Sequence, residues 1–321
     1  KIFWNEGLVG AAAIDVTGDP YPDETHKICL NSDAVLFGAV GDPKYDNDPT
    51  AKIRPEEGLL RMRKKLGLYA NIRPTYTFDS LLEKSPIKKS IIQGTDLVFV
   101  RELTGGIYFG KRGRNKTDDY AYDTCEYNVN EIKRLAKIGF ELAMKRSKKL
   151  CCIDKANVLE TSRLWRQTVQ SLEKNYPEVN VSYEFVDAVA MRLIHSPSYY
   201  DVLITSNLFG DILTDEASVI SGSMGLMPSA SVGVETSIYE PIHGSFPQAK
   251  GKNIANPLAT ILSASMMFER SFHLHEESKL IRDLVNESIS NNIVTKDLSG
   301  DGKSFTTSEV GDWIVERIRK G

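Results

Sequence analysis

Short apolar runs that alternate with longer amphipathic segments constrain this chain more than any other feature. Leu97-Val98-Phe99-Val100, Leu150-Cys151-Cys152-Ile153, Val181 to Val186 and Val202-Leu203-Ile204-Thr205 have the length and residue types of buried strands. Elsewhere the period is helical. From Asn130 to Lys145, the residues Ile132, Leu135, Ala136, Gly139, Leu142 and Ala143 follow an i, i+3, i+4, i+7 pattern. Pro257 to Phe272 predicts a buried helix with Pro257 at its first position. Thr306-Thr307-Ser308-Glu309 is a capping box that opens a last helix toward Ile318. Strands alternating with helices predict an α/β fold with a largely parallel sheet. The polar stretch 111–128 is expected to be an exposed loop or arm.

A length of 321 residues suggests about two domains. With 41% hydrophobic and 26% charged residues the chain reads as globular. A net charge of −3 argues against a nucleic-acid surface. No run approaches the roughly 18 to 20 apolar residues of a membrane span, and no secretory signal is visible. Neighbouring Cys151 and Cys152 suit neither a disulfide framework nor a Cys-x-x-Cys knuckle, so a reducing compartment, the cytoplasm, is expected. The chain enters Ile2-Phe3-Trp4 directly from Lys1, without Met, which reads as a fragment. Gly-x-Gly-x-x-Gly, Walker, Gly-x-Ser-x-Gly and His-Glu-x-x-His motifs are absent, so a dinucleotide would not be held by the usual Rossmann fingerprint.

Five groups of residues could carry chemistry. In Asn207 to Asp215, a strand ends, Gly210 is expected to turn the chain, and a helix begins. Asp211 and Asp215 then share a helical face, two hard oxygen donors suited to Mg²⁺ or Mn²⁺. Taken alone, such a pair of acids more often serves only to complement the helix dipole. Asp187 follows another strand, either as an N-cap or as a third metal ligand. Lys155, in Asp154-Lys155-Ala156-Asn157-Val158, is a candidate general base or a surface cap of the sheet. Arg63, Arg73 and Arg101 suit bidentate carboxylate binding, with Leu59 one turn before Arg63. Tyr108, in Arg101-Glu102-Leu103-Thr104-Gly105-Gly106-Ile107-Tyr108-Phe109-Gly110, is a proton donor or a hairpin residue. The Gly/Pro-rich segment Glu240 to Pro257 is a structural turn or a loop that holds phosphates or an adenosine.

Together these segments resemble the isocitrate/isopropylmalate dehydrogenase family, the β-decarboxylating dehydrogenases of 3-substituted malates. The likeness runs from Gly10-Ala11-Ala12-Ala13-Ile14-Asp15 to the C-terminus. It includes Gly38 to Lys44, Arg101 to Gly110, Asp154 to Leu159, Asn207 to Asp215, Gly222 to Ala230 and His243 to Pro257. It implies a two-domain fold, 1–68 with 222–321 and 69–221, and a homodimer whose active sites are shared between subunits. It implies Arg63, Arg73 and Arg101 as a carboxylate clamp, with Asp187, Asp211 and Asp215 as Mg²⁺ or Mn²⁺ ligands, Asp187 lying beside substrate as well. Lys155 matches the base and Tyr108 the acid. Lys155 and Asp187 match residues that reach the site from the neighbouring subunit. Leu59 and Leu60 match positions facing an isopropyl group, where isocitrate dehydrogenases generally place polar residues. Glu56 and Asn157 match positions near the nicotinamide. Glu240, His243, Gly244, Ser245, Gln248 and Asn256 match the cofactor loop.

The expected reaction is oxidative decarboxylation of isopropylmalate with NAD. The alternatives are isocitrate, homoisocitrate or tartrate/malate as substrate, or a non-catalytic regulatory subunit of this fold. The family's opening strand and Gly-Asp-Gly-Ile-Gly-Pro-Glu turn do not precede Gly10, which implies an incomplete chain or a sheet without its first strand and motivates the regulatory reading. Gln248 stands where many NAD-using members carry Asp, and Gln248-Ala249 occupies the place of the positive pair expected for a 2′-phosphate, though Lys250 follows; this favours NAD over NADP.

Overall fold

The computed structural model describes residues 1–46 and 53–320. They form two compact units, Lys1–Leu68 with Ser223–Gly321, and Tyr69–Gly222. The strands are β1 Ala34–Leu36, β2 Ala70–Tyr76, β3 Asp96–Glu102, β4 Arg112–Arg114, β5 Ala121–Asp123, β6 Lys149–Asp154, β7 Asn180–Phe185, β8 Val202–Thr205, β9 Pro228–Val232 and β10 Ser237–Pro241.

In the first unit β1 runs parallel to β10, with Ala34 facing Ser237, and β10 runs antiparallel to β9. The second unit has the order β2-β3-β8-β6-β7. Only β2 is antiparallel there, and the remaining neighbours are parallel. Parallel strands are buried on both faces, which is why their sequences read as unbroken apolar runs. β8 is buried at all four positions and β3 at every position but its first.

The helix Val129–Lys145 covers this sheet with Ile132, Leu135, Ala136, Phe140 and Ala143. Leu142 is only half-buried, whereas Phe140 is fully buried and stacks on Tyr176 with ring centroids 4.5 Å apart. Gly139 lies so near β8 that a Cβ there would stand 2.3 Å from Ile204 Cγ2. The capping box forms as expected. The Thr306 amide donates to Glu309 Oε2 (2.7 Å), and the Glu309 amide donates to Thr306 Oγ1 (3.3 Å).

Four local expectations are corrected. Val186 opens the helix Val186–His195 instead of ending β7. Pro257 precedes the helix Leu258–Arg270 as its N-cap. Gly210 makes no turn but lies inside the helix Asn207–Ser221, where a Cβ would stand 2.7 Å from Arg101 Cγ. Tyr108 is not in a hairpin, for it ends the short turn Gly106–Tyr108. The hairpin is the exposed pair β4–β5 within the polar stretch.

In the first unit the helix Pro55–Lys65 begins with Pro at N1 and carries Glu56 and Glu57 in its first turn, both favourable there. A Cβ on Gly58 would stand 2.3 Å from the Pro20 carbonyl oxygen. Gly58→Ala should therefore cost about 1–3 kcal/mol by overpacking. A fall of several degrees in Tm checks this, and an unchanged Tm contradicts it.

Candidate active site

Two arginines of adjacent strands and two aspartates of one helix meet in the second unit. Arg101 is the penultimate residue of β3 and Arg73 lies at the middle of β2. Both are nearly inaccessible, at 2% and 6% exposure, although each carries a charge. Buried cations of this kind need partners. The helix Asn207–Ser221 supplies most of them from its first three turns. Asp211 Oδ1 accepts from Arg101 Nη1, and Asp211 Oδ2 accepts from the Tyr108 hydroxyl at 2.6 Å. Arg73 donates from Nη1 to Thr214 Oγ1 and from Nε to Asn71 Oδ1, each at 2.5 Å, and its Nη1 stands 3.8 Å from Asp215 Oδ1.

The electrostatics follow from this packing. Burial pushes the Asp211 carboxyl upward. The Arg101 charge, the Tyr108 hydrogen bond and Arg73 together outweigh it, so Asp211 stays below the usual carboxylate range. Asp215 is raised instead, because burial is only partly offset by Arg73 and Asp211 adds repulsion. Burial and the hydrogen bond to Asp211 push the Tyr108 hydroxyl up to about 12, so it carries its proton at neutral pH.

Lys155 and Asp187 form a second pair in the same unit, with Nζ 2.5 Å from Oδ1. Asp187 is the second residue of its helix and not the N-cap. Its carboxyl is lowered mainly by Lys155. The turn carrying Lys155 is anchored by Asp154. That side chain accepts from the Ala156 amide (2.9 Å) and is bridged by Arg166 through Nε (2.7 Å) and Nη2 (3.0 Å). Asn157 follows as an exposed residue. Among the described residues of one chain no three His, Cys, Asp or Glu side chains converge on a metal position. Asp211 and Asp215 are thus neighbours, and Asp187 is not brought to them within one chain.

In the first unit Arg63 is buried in the last turn of its helix, and its Nη2 donates to Glu240 Oε1 at 3.3 Å. Glu240 is a buried residue of β10, not of the loop beyond it. Leu59 packs partly on the core that contains Met62 and Leu66, and Leu60 is half-buried. A Cβ on Gly41 would stand 3.2 Å from both Glu56 Oε1 and Ser245 Oγ, so these two side chains flank one glycine. His243 directs Nδ1 toward the Gly244 carbonyl (2.9 Å), while its Nε2 is buried and finds no partner. Gly244, Ser245 and Gln248 are exposed. Asn256 accepts from the Leu258 amide and donates to Asp297 Oδ2, each at 3.0 Å.

Sequence reasoning missed Asn71, Glu102, Tyr127, Asn207 and Thr214. Glu102 is fully buried and accepts from the Thr104 and Gly105 amides at 2.7 and 2.8 Å, which shapes the turn that ends in Tyr108. The signal for Glu102 was its position two residues before Thr104-Gly105-Gly106, since a carboxylate there suits exposed amides.

The isocitrate/isopropylmalate dehydrogenase family model matches residues 1–314. A 3-isopropylmalate dehydrogenase of Bacteroides fragilis is 57% identical over 321 residues, covering 100% of this chain and 90% of the relative. One of Aquifex aeolicus is 50% identical over 321 residues, covering 99% and 88%. Among solved structures, an isocitrate dehydrogenase from Methylococcus capsulatus is similar with a TM-score of 0.88 at 31% identity, covering 99% of this chain and 91% of the other. A β-decarboxylating dehydrogenase from Thermococcus kodakarensis gives 0.78 at 31%, covering 97% and 86%.

Proposed function

The chain belongs to the isocitrate/isopropylmalate dehydrogenase family, and from that premise we propose that it oxidatively decarboxylates 3-isopropylmalate to 2-oxoisocaproate in leucine biosynthesis. It acts with NAD⁺ and Mg²⁺ or Mn²⁺, as a cytoplasmic homodimer. The observation that carries this reading is the 57% identity, over the whole chain, to a relative of that activity.

The residues suit the chemistry. The substrate bears two carboxylates, and Arg63, Arg73 and Arg101 offer planar, permanently charged forks for them. Asp211 and Asp215, with the partner subunit's Asp187, would hold the divalent cation. Their hard oxygen donors suit Mg²⁺ or Mn²⁺, and Asp211 is kept ionised by Arg101. When bound, the cation would supply Lewis acidity to the oxygens of the substrate.

His243, Gly244, Ser245, Gln248 and Asn256 would line the cofactor's place, with Glu240 holding Arg63. The unpartnered His243 Nε2 is a polar atom available to such a ligand. Glu56 and Asn157 would stand near the nicotinamide, which when bound would supply the hydride acceptor for the reaction. Gln248 has an exposed amide that would suit a ribose hydroxyl, and buried, apolar Ala249 would offer no charge to a 2′-phosphate, which favours NAD⁺ over NADP⁺.

The partner subunit's Lys155 takes the C2 hydroxyl proton as hydride leaves. After CO₂ departs, Tyr108 delivers its proton to C3. Arg101 and Arg73 hold the substrate through both steps, so the reacting carbon stays aimed at Tyr108.

Leu59 and Leu60 would receive the isopropyl group. Comparing kcat/KM for 3-isopropylmalate, isocitrate and malate tests the substrate. The wild type should prefer 3-isopropylmalate. Leu59→Glu should lower that value by about 10- to 200-fold, because a charge replaces an apolar contact of one to three kcal/mol. A preference for isocitrate or malate in the wild type, or an indifferent Leu59→Glu, would overturn the substrate assignment.

A further inference from the structure

The side chain that ties the Arg101 guanidinium to the turn carrying Tyr108 is Asn207. Asn207 opens its helix and is 1% exposed. Its Oδ1 accepts twice from Arg101, from Nη2 at 2.9 Å and from Nε at 3.2 Å. Its Nδ2 donates to the Gly105 carbonyl at 3.2 Å. Its backbone amide donates to the Tyr127 hydroxyl at 2.9 Å. The amide orientation is set by these partners, for a flipped side chain would put its NH₂ against the guanidinium and its oxygen against a carbonyl.

The Tyr127 ring is itself fixed. It meets Trp165 edge to face at 5.5 Å, and its hydroxyl fills the place where Gly106 has no Cβ. Gly106 takes a φ of +72°, so the turn needs glycine here for both conformation and space. Asn207 therefore reads two elements at once, the β3 end and the Thr104–Tyr108 turn.

We infer that Asn207 is a positioning residue for the dicarboxylate substrate: it sets the plane of the Arg101 guanidinium and couples that plane to the turn that presents Tyr108. The inference deepens the proposed function and rests on Arg101 as a carboxylate-binding group. Two hydrogen bonds to a charged group in a buried site are involved, so their loss should be read chiefly in substrate binding.

The test is a double-substitution cycle on the full dimeric enzyme. Asn207→Ala should raise KM for 3-isopropylmalate by about 10- to 100-fold and leave KM for NAD⁺ within about twofold. Lysine offers no planar fork, so in the Arg101→Lys background the same change should add less than about threefold. Asn207→Asp, of the same size, guards against simple misfolding. It keeps the acceptor for Arg101, loses the donor to Gly105, and should raise KM for the acid while Tm stays near that of wild type.

Multiplicative effects of Asn207→Ala and Arg101→Lys would overturn the inference, as would equal rises in both KM values. A wild type that turns over none of the acids tested would instead overturn the proposed function. Calorimetric binding of 3-isopropylmalate to the same four proteins would then still decide whether Asn207 acts through Arg101.

Discussion

Lys155→Ala should lower kcat by about 10²- to 10⁴-fold, the range for removing a positioned proton acceptor. The fold should survive, because Lys155 touches Asp187 at the surface while Asp154 and Arg166 anchor the turn beneath it. The shared-site reading makes a sharper prediction. Tyr108→Phe should also be nearly inactive, yet reassorted dimers of the two inactive proteins should recover activity. Each mixed dimer would hold one site with an intact Tyr108 and the partner subunit's intact Lys155. Random reassortment by two-fold symmetric subunits predicts roughly a quarter of wild-type activity. No recovery in mixtures shown to exchange subunits would place Lys155 and Tyr108 in the same subunit's site.

Asp211→Asn should lower kcat/KM by about 10³-fold or more, because one carboxylate serves three purposes. It accepts from Arg101, it accepts from Tyr108, and it would face the cation. An amide can satisfy one of the two neighbours only by turning its NH₂ on the other. Arg101 is nearly fully buried, so it loses the carboxylate charge of Asp211 in a place where a cation is costly. Steady-state kinetics across a Mg²⁺ titration reads this directly. The half-saturating Mg²⁺ should rise, and excess metal should not restore the wild-type rate. Activity within tenfold of wild type would remove Asp211 from the centre of the site.

The sheet of the second unit was legible because parallel strands are buried on both faces and leave apolar runs in the sequence, as in Leu97–Val100 and Val202–Thr205. Arg101 and Asp211 were legible as chemistry because they stand where a strand ends and a helix starts. Their contact, 110 positions apart in the chain, is supplied only by the fold. The same holds for Arg63 and Glu240, separated by 177 positions, where a residue expected on a loop proves to be a buried strand carboxylate. Gly210 was misread because glycine signals a turn locally, whereas here its role is to let Arg101 pass close to a helix. Asn207 was passed over for a related reason. Its residue type suits a helix start, and nothing in the local sequence reveals that its amide faces a guanidinium. Packing across β3, the Thr104–Tyr108 turn and the helix Asn207–Ser221 created that role.

The proposed reaction, a metal-dependent oxidative decarboxylation of 3-isopropylmalate, fixes the ratio of its products. The most direct measurement is the stoichiometry of NADH, CO₂ and 2-oxoisocaproate formed from 3-isopropylmalate and NAD⁺, with and without a chelator. Equal amounts of the three products, abolished by chelation and restored by Mg²⁺ or Mn²⁺, are the predicted result. NADH without CO₂, or product formation indifferent to chelation, would overturn the proposed reaction.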